Sequence, residues 1–158
     1  MKNFYQSLGY LILGSRLRRL SEYYLSEINL VYQQEGIEFD ASWFPVFYLL
    51  SQHQPINILE LSETMQVSHS AASQLITVLK KQGLVKATPN SEDKRKQEIS
   101  LTPSGEELLK ALIPIWETID SSITNRIENG PVCKDFLAVL HGVELHLQSR
   151  SISDEIIH

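Results

Sequence analysis

The fold of this chain is decided by residues 68–105, which read SHSAASQLITVLKKQGLVKATPNSEDKRKQEISLTPSG. A helix is predicted over residues 69–82, because the apolar side chains there fall in one narrow sector at about 100° per residue. Ser68 is suited to cap the start of this helix, and Gly83 is suited to end it. The apolar sector contains Ala72, Leu75, Ile76 and Leu79, with Ala71 and Val78 on its flank.

A β-hairpin is predicted directly after that helix. Residues 84–87 form a short strand-like run, and residues 97–101 alternate between polar and apolar side chains. The polar residues 89–96 between them suit a hairpin tip. Thr102 and Pro103 then supply an N-cap and a first-turn proline, which predict that another helix begins there.

A shorter helix precedes this segment. Asn57 can cap a helix over residues 58–65, and Gln66-Val67 leaves room only for a tight turn before Ser68. Two helices joined by so short a turn and followed by a hairpin have the order of a winged helix-turn-helix. The predicted fold class is therefore mainly α with a small β-hairpin wing.

Long helices are predicted toward both ends of the chain. Ser42 is the expected N-cap of the helix predicted over residues 43–52. The first has apolar residues at spacings of three and four and carries more apolar surface than a small domain covers, which favours burial against a second copy. The predicted helices outside the central segment span residues 4–34, 43–52, 103–128 and 132–148.

The composition favours a soluble globular protein. Of the 158 residues, 42% are apolar and 21% are charged, and no apolar run approaches the length of a membrane span. The N-terminus lacks the apolar block of a signal peptide, and the single cysteine, Cys133, excludes an internal disulfide. The expected location is therefore the cytoplasm, with no membrane contact.

The net charge of −5 is unevenly distributed. Residues 54–100 carry six basic and five acidic groups, which leaves eight basic and fourteen acidic groups for the rest of the chain. A local basic face is sufficient for contact with phosphates, so the acidic total does not exclude binding to nucleic acid.

The polar arc of the helix over 69–82 suits contact with DNA bases. Small residues allow a helix backbone to approach base edges, Gln74 can pair bidentately with adenine, and serine or threonine can bond to several bases. An ordinary solvated face is an equally good interpretation of this helix taken alone. The arc contains His69, Ser70, Ser73, Gln74, Thr77, Lys80 and Lys81.

The predicted hairpin tip adds a concentrated positive charge. Lys94, Arg95 and Lys96 are consecutive and could reach a phosphate backbone or place an arginine in the minor groove. Asp93 can orient the guanidinium of Arg95 through a paired hydrogen bond. A turn kept soluble by charge is the alternative, but the neighbouring helix-turn-helix favours DNA.

The chain resembles the multiple-antibiotic-resistance-regulator (MarR) family over roughly residues 8–148. The resemblance rests on three motifs in order, LxxxGLV at 79–85, DxR at 93–95 and LTxxG at 101–105. It implies a homodimeric regulator that binds a pseudo-palindromic operator in double-stranded DNA, as a repressor does at a promoter. In that family the recognition helices enter successive major grooves and the wings enter the flanking minor grooves.

The resemblance also assigns regions and residues. Residues 1–35 and 103–150 would form the dimerisation region, residues 36–102 the DNA-binding region, and residues 151–158 a tail. Arg95, oriented by Asp93 and flanked by Lys94 and Lys96, would enter the minor groove. The resemblance gives base or near-base contacts to Ser68, Ser70, Ser73, Gln74 and Thr77, and phosphate contacts to His69 and Lys81.

Members of the family often bind a small aromatic or phenolic effector in a crevice between the dimerisation helices and the DNA-binding lobe. The resemblance implies Tyr10, Arg16, Trp43 and Phe47 for such a site, with Arg16 meeting an anionic ligand. Packing in the core or in a dimer interface is the favoured alternative for these aromatic residues.

No metal or cofactor site is predicted. His141 and His146 are five residues apart and do not share a helix face as an i, i+4 metal pair would. Cys133 could sense oxidation at a helix start, but an inert buried cysteine is favoured.

An enzyme is not expected, because the sequence has no Gly-rich phosphate loop, nucleophile elbow or His/Glu metal motif. Two alternatives to the DNA-binding interpretation stay open. One is a protein-interaction module with weakened DNA binding, since many family members carry arginine at the position of Gln74 and a basic residue near Val78. The other is the regulator half of a longer acetyltransferase fusion.

Overall fold

The computed structural model describes residues 4–90, 97–130 and 134–157, with only the backbone at residue 6. These residues form two compact units, one that ends at Ala111 and one that begins at Leu112. The helices are α1 (Phe4–Ser7), α2 (Leu13–Gln34), α3 (Phe44–Gln52), α4 (Ile58–Thr64), α5 (His69–Lys81), α6 (Pro103–Glu128), α7 (Phe136–Ser149) and α8 (Ile152–Ile157). Short 3-10 turns span Gly9–Ile12 and Ala41–Trp43.

The prediction of one unbroken helix over residues 4–34 is wrong at its start. Gly9 has a φ of +54°, which lies in the left-handed region that favours glycine. A 3-10 turn follows, and α2 begins only at Leu13. The glycine therefore separates the short α1 from the long helix.

The caps of the helix-turn-helix are confirmed. The side chain of Asn57 accepts a hydrogen bond from the backbone N–H of Glu60 at 2.9 Å, and Ser68 Oγ accepts one from the N–H of Ala71 at 3.1 Å. Gly83 follows α5 with a φ of +70°, as a C-terminal glycine does. Residues local to α5, Ser68 at its start and Gly83 after its end, thus determine where this helix begins and ends.

The cap predicted for α3 at Ser42 is wrong, because α3 has Trp43 at its N-cap and no side-chain capping bond. Asp40 caps the preceding 3-10 turn instead, and its carboxylate accepts from the N–H of Ser42 at 2.8 Å and from the Ser42 hydroxyl at 2.6 Å. A 3-10 turn therefore precedes α3, which starts at Phe44 with Pro45 in its first turn. The aspartate competes successfully because its carboxylate accepts both bonds at once.

The sheet contains the predicted hairpin and a third strand that sequence reasoning missed. Strands β1 (Ile56–Asn57), β2 (Val85–Pro89) and β3 (Gln97–Leu101) are antiparallel in the order β1-β3-β2. Just before β1, the side chain of Gln54 accepts a hydrogen bond at 2.8 Å from the backbone N–H of Leu101. This side chain extends the pairing of β1 with β3 by one more hydrogen bond.

The core of the first unit joins the helix-turn-helix to the sheet. Leu61 of α4, Leu79 of α5 and Ile99 of β3 are completely buried. A second cluster packs Phe39 against Tyr32 and Phe47, with ring centroids 5.1 and 5.0 Å apart and the rings edge to face. The first cluster buries one face of α5, while the opposite face of that helix stays exposed.

The LTxxG and GLV motifs meet in the folded chain. Thr102 Oγ1 donates to the carbonyl of Gly83 at 2.6 Å and accepts from the N–H of Gly105 at 3.1 Å. A Cβ built on Gly105 would lie 2.1 Å from the carbonyl oxygen of Leu84, so only glycine fits there without a shift. This contact, which we call the junction (Gly83, Leu84, Thr102 and Gly105), ties the end of α5 to the start of α6.

The second unit contains the rest of α6, then α7 and α8. The helix predicted over 132–148 begins at Phe136, after Asp135 with a φ of +60°, and Val132 and Cys133 lie outside the described residues. The tail forms the short helix α8, which the sequence did not indicate. None of the helices in the described part of the chain has the length and apolarity needed to span a membrane.

Candidate nucleic-acid interface

The outer face of α5 carries a line of polar side chains. Ser70, Gln74, Thr77 and Lys81 are all exposed, and their spacings of four, three and four place them along one side of the helix. We call these four residues the polar stripe. The opposite side holds Ala72, Ile76 and Leu79, which are at most 3% exposed.

Two of the predicted base-contacting hydroxyls already make bonds within the helix. Ser68 Oγ caps α5, and Thr77 Oγ1 donates to the carbonyl of Ser73 at 2.8 Å. Ser73 itself is only half-exposed. The structure therefore brings Ser70, Gln74, Thr77 and Lys81 together, while it places Ser68 at the cap and Ser73 on the flank.

The charged side chains of α5 are the two lysines near its C-terminal end. His69 is at its start, Lys80 and Lys81 are its last two residues, and the helix contains no acidic residue. None of these three side chains has an ion-pair partner among the described residues. The helix dipole also favours an anion at the N-terminus, so both ends of the exposed face suit phosphates.

The body of the wing is described, but its tip is not. Strands β2 and β3 pair from Val85 with Leu101 to Pro89 with Gln97. The side chain of Asn90 donates to Glu98 beyond the last pair. The predicted tip residues Asp93, Lys94, Arg95 and Lys96 lie outside the described residues.

The four residues suggested for an effector are not brought to one place. Phe47 is completely buried, so its ring belongs to the core and is not available to an open crevice. Trp43 does line a cavity of about 390 Å³, but Tyr10 and Arg16 are not among its lining residues. Tyr10 is 91% exposed.

The cavity is lined mainly by residues that sequence reasoning missed. With Trp43 these are Gly36, Ile37, Glu38, Gln82, Leu84 and Leu108. Gln82 and Leu84 directly follow α5, so a molecule held there would touch the end of that helix. No sequence signal joins these positions, because they come from three distant segments.

Within the described ranges, no group of three or more histidine, cysteine, aspartate or glutamate side chains could hold a metal ion.

The fold and the polar stripe together define the class of protein. It is a winged helix-turn-helix protein in which α5, the second helix of the helix-turn-helix, presents an exposed polar face with basic residues.

Comparisons with known proteins match part of the chain to one family. Residues 38–96, which contain the helix-turn-helix and much of the wing, match the model of the MarR family. An HTH-type transcriptional regulator of Bacillus cereus is 26% identical over 112 residues, which cover 71% of this chain and 74% of that protein.

Solved structures show the same fold. The MepR–DNA complex of S. aureus matches with a TM-score of 0.69 and 16% identity, over 87% of this chain and 96% of that one. A MarR/EmrR family transcriptional regulator from Acinetobacter sp. ADP1 matches with a TM-score of 0.69 and 18% identity, over the same shares. The winged-helix region of this chain therefore matches the MarR family, and the relative that it resembles in sequence is a transcriptional regulator.

Proposed function

We propose that this protein is a homodimeric transcriptional regulator that binds a pseudo-palindromic operator and is modulated by a small effector. The observation that carries the proposal is the polar stripe. Four polar side chains lie exposed along one face of a helix whose other face is locked into the core. Small polar groups and a terminal lysine on a rigid helix suit the major groove.

The second subunit is inferred from uncovered apolar surface on α2. The apolar line of this helix is buried at Ile28, but Leu17, Leu20 and Tyr24 are 46%, 56% and 41% exposed. A row of apolar side chains that is buried at one end of a helix and exposed at the other favours burial of the exposed part against another molecule. A second copy is the simplest occupant, since regulators that read palindromes are two-fold symmetric.

The second unit also carries uncovered apolar surface. Over its described range, α7 has no buried residue, and Leu137, Val139 and Leu145 are 71%, 61% and 56% exposed. Residues 1–35 and 103–150 are therefore proposed as the dimerisation region and residues 36–102 as the DNA-binding region. The two copies of α5 would enter successive major grooves about 34 Å apart, one turn of B-DNA.

The wing is proposed to reach the flanking minor grooves. β2 and β3 extend from the same core as α5, and the chain between them carries three consecutive basic residues in its sequence. Arg95, with Asp93 beside it in sequence, is the residue suited to a narrow minor groove.

The effector is proposed to occupy the cavity beside Trp43. Its lining combines the indole with the apolar side chains Ile37, Leu84 and Leu108, and Glu38 is the one charged group among the described residues that line it. That set favours a small aromatic molecule that is neutral or cationic, in place of the anion expected from Arg16. Such a molecule could release DNA only through a higher affinity for the unbound arrangement.

A selection from genomic DNA tests the proposal. The full chain is titrated against promoter-sized fragments of its own genome at two salt concentrations, and the retained fragments are sequenced. The expected result is one recurring pseudo-palindrome, with an affinity that falls steeply as salt rises because phosphate contacts release counterions. The Arg95→Ala variant should bind that operator roughly 10-fold to 100-fold more weakly.

Sedimentation of the same sample tests the dimer. Two copies of the chain on one operator are expected, and a monomer in solution and on DNA would contradict the dimer. A folded protein that retains no fragment above random DNA would overturn the DNA-binding proposal and direct the search to protein partners.

A further inference from the structure

We infer that Gln74 specifies an adenine in each half-site of the operator and is the main base-discriminating residue of α5. The inference rests on the proposed function and adds to it the identity of a base and of the residue that selects it. It follows from where Gln74 lies on α5, from which side chains are uncommitted, and from the shape of the amide.

Gln74 lies at the centre of the outer face. At about 100° per residue, it points roughly 190° away from the mean direction of Ala72, Ile76 and Leu79. Those three side chains are the ones that α5 buries. Gln74 therefore points almost directly away from the core, as Lys81 does two turns later, while Ser73 on the flank is half-buried.

Gln74 is also uncommitted within the described part of the chain. Its amide has no hydrogen-bond partner among the described residues, whereas the hydroxyls of Ser68 and Thr77 are engaged in the cap and with the carbonyl of Ser73. Ser70, one turn before Gln74 on the same stripe, is likewise unpaired with any described residue. The base-reading group near the middle of α5 is therefore the amide with one hydroxyl beside it.

The shape of the amide selects adenine. A primary amide offers a donor and an acceptor in one plane, which match N7 and the N6 amino group of adenine in the major groove. A serine hydroxyl can bond to several bases and discriminates weakly. Guanine is usually read by arginine or lysine, but the lysines Lys80 and Lys81 lie about 9 Å and 10 Å further along the axis.

The test compares base preferences and not only affinities. Wild type, Gln74→Ala and Gln74→Arg are each used to select binding sites from a library in which the operator half-site is randomised. Gln34→Ala is the matched control, because it deletes the same exposed amide from the end of α2. Binding is also measured to operators in which single adenines are replaced by 7-deazaadenine, which lacks the N7 acceptor.

The expected wild-type result is one strongly selected adenine per half-site, at which 7-deazaadenine lowers affinity. Gln74→Ala should lose roughly 10-fold to 100-fold in affinity and lose the preference at that position alone. Gln74→Arg should shift that position toward guanine, and Gln34→Ala should keep the wild-type preference. In Gln74→Ala, 7-deazaadenine at that position should have no further effect, because no side chain is left to bond to N7.

Two outcomes overturn the inference in different ways. An operator that is selected equally by wild type, Gln74→Ala and Gln74→Arg would remove Gln74 as the reader and leave the proposed regulator standing. A wild-type protein that selects no operator at all would overturn both.

Discussion

In α5 the apolar side chains of Ala72, Ile76 and Leu79 are at most 3% exposed, whereas in α7 those of Leu137 and Val139 are more than 60% exposed. Both helices are rich in apolar residues, but α5 buries three of them, whereas the described range of α7 has no buried residue. The difference teaches that the winged-helix core is buried within a single copy of the chain. The terminal helices, in contrast, leave apolar surface exposed that another molecule could cover.

A second contrast separates two glycines of the C-terminal helices. Gly105, at the start of α6, is pressed against the carbonyl of Leu84, whereas a Cβ on Gly142 in α7 would meet nothing within 4 Å. One glycine is required by a close backbone approach, and the other is a helix-interior residue that gains nothing from its missing side chain.

The largest expected effect comes from deleting a core leucine. Leu79→Ala should lower the free energy of unfolding by about 2–5 kcal/mol, because it leaves a cavity in a completely buried site. The matched variant Leu137→Ala should cost no more than about 0.5 kcal/mol when urea unfolding is extrapolated to low protein concentration.

Leu137→Ala should instead change how stability depends on protein concentration, since stability gained from a partner subunit follows mass action. Equal losses in the two leucine variants at low concentration would remove the distinction between the core and the terminal helices.

An intermediate effect is expected from the two glycines, with opposite signs. Gly105→Ala should destabilise by about 1–3 kcal/mol, because the new methyl would force the backbone of Leu84 to shift. Gly142→Ala should stabilise by about 0.5–1 kcal/mol, since alanine is the better helix former and nothing described obstructs it. Thermal unfolding measures both, and a loss at Gly142 would show that this face of α7 is already packed against something.

The smallest effect is expected at the start of α5. Ser68→Ala should cost about 1 kcal/mol, because the N–H of Ala71 loses its capping oxygen. Ser70→Ala, two residues further on, should leave stability within about 0.5 kcal/mol and lower DNA affinity instead. If Ser70→Ala destabilised as much as Ser68→Ala, the polar stripe would have a structural role that its exposure does not show.

Much of the winged helix could be predicted because its signals are local. Asn57, Ser68 and Gly83 cap their helices through residues within three or four positions, and the alternation over 97–101 specifies β3 directly. Two predicted local features were wrong, the unbroken first helix and the cap at Ser42. In each case a neighbouring residue, Gly9 or Asp40, provided the stronger local signal.

The sequence proposes a set of residues for the candidate site but does not rank them. The resemblance to the MarR family gave base or near-base contacts equally to Ser68, Ser70, Ser73, Gln74 and Thr77. Their ranking depends on hydrogen bonds to the backbone of α5, which periodicity does not reveal. The cavity beside Trp43 could not be predicted at all, because its walls come from three segments far apart in the sequence.

The amino-acid sequence specified the helices α3 to α6, the two strands of the hairpin, the glycine at position 105 and the polar composition of α5, since each follows from local propensity and spacing. Packing in three dimensions added the strand β1, the junction between Leu84 and Gly105, the burial of Phe47 and the isolation of Gln74 at the centre of an open face. These features depend on which distant groups come within a few ångströms of each other, and such proximity is set by the whole core and not by any one segment.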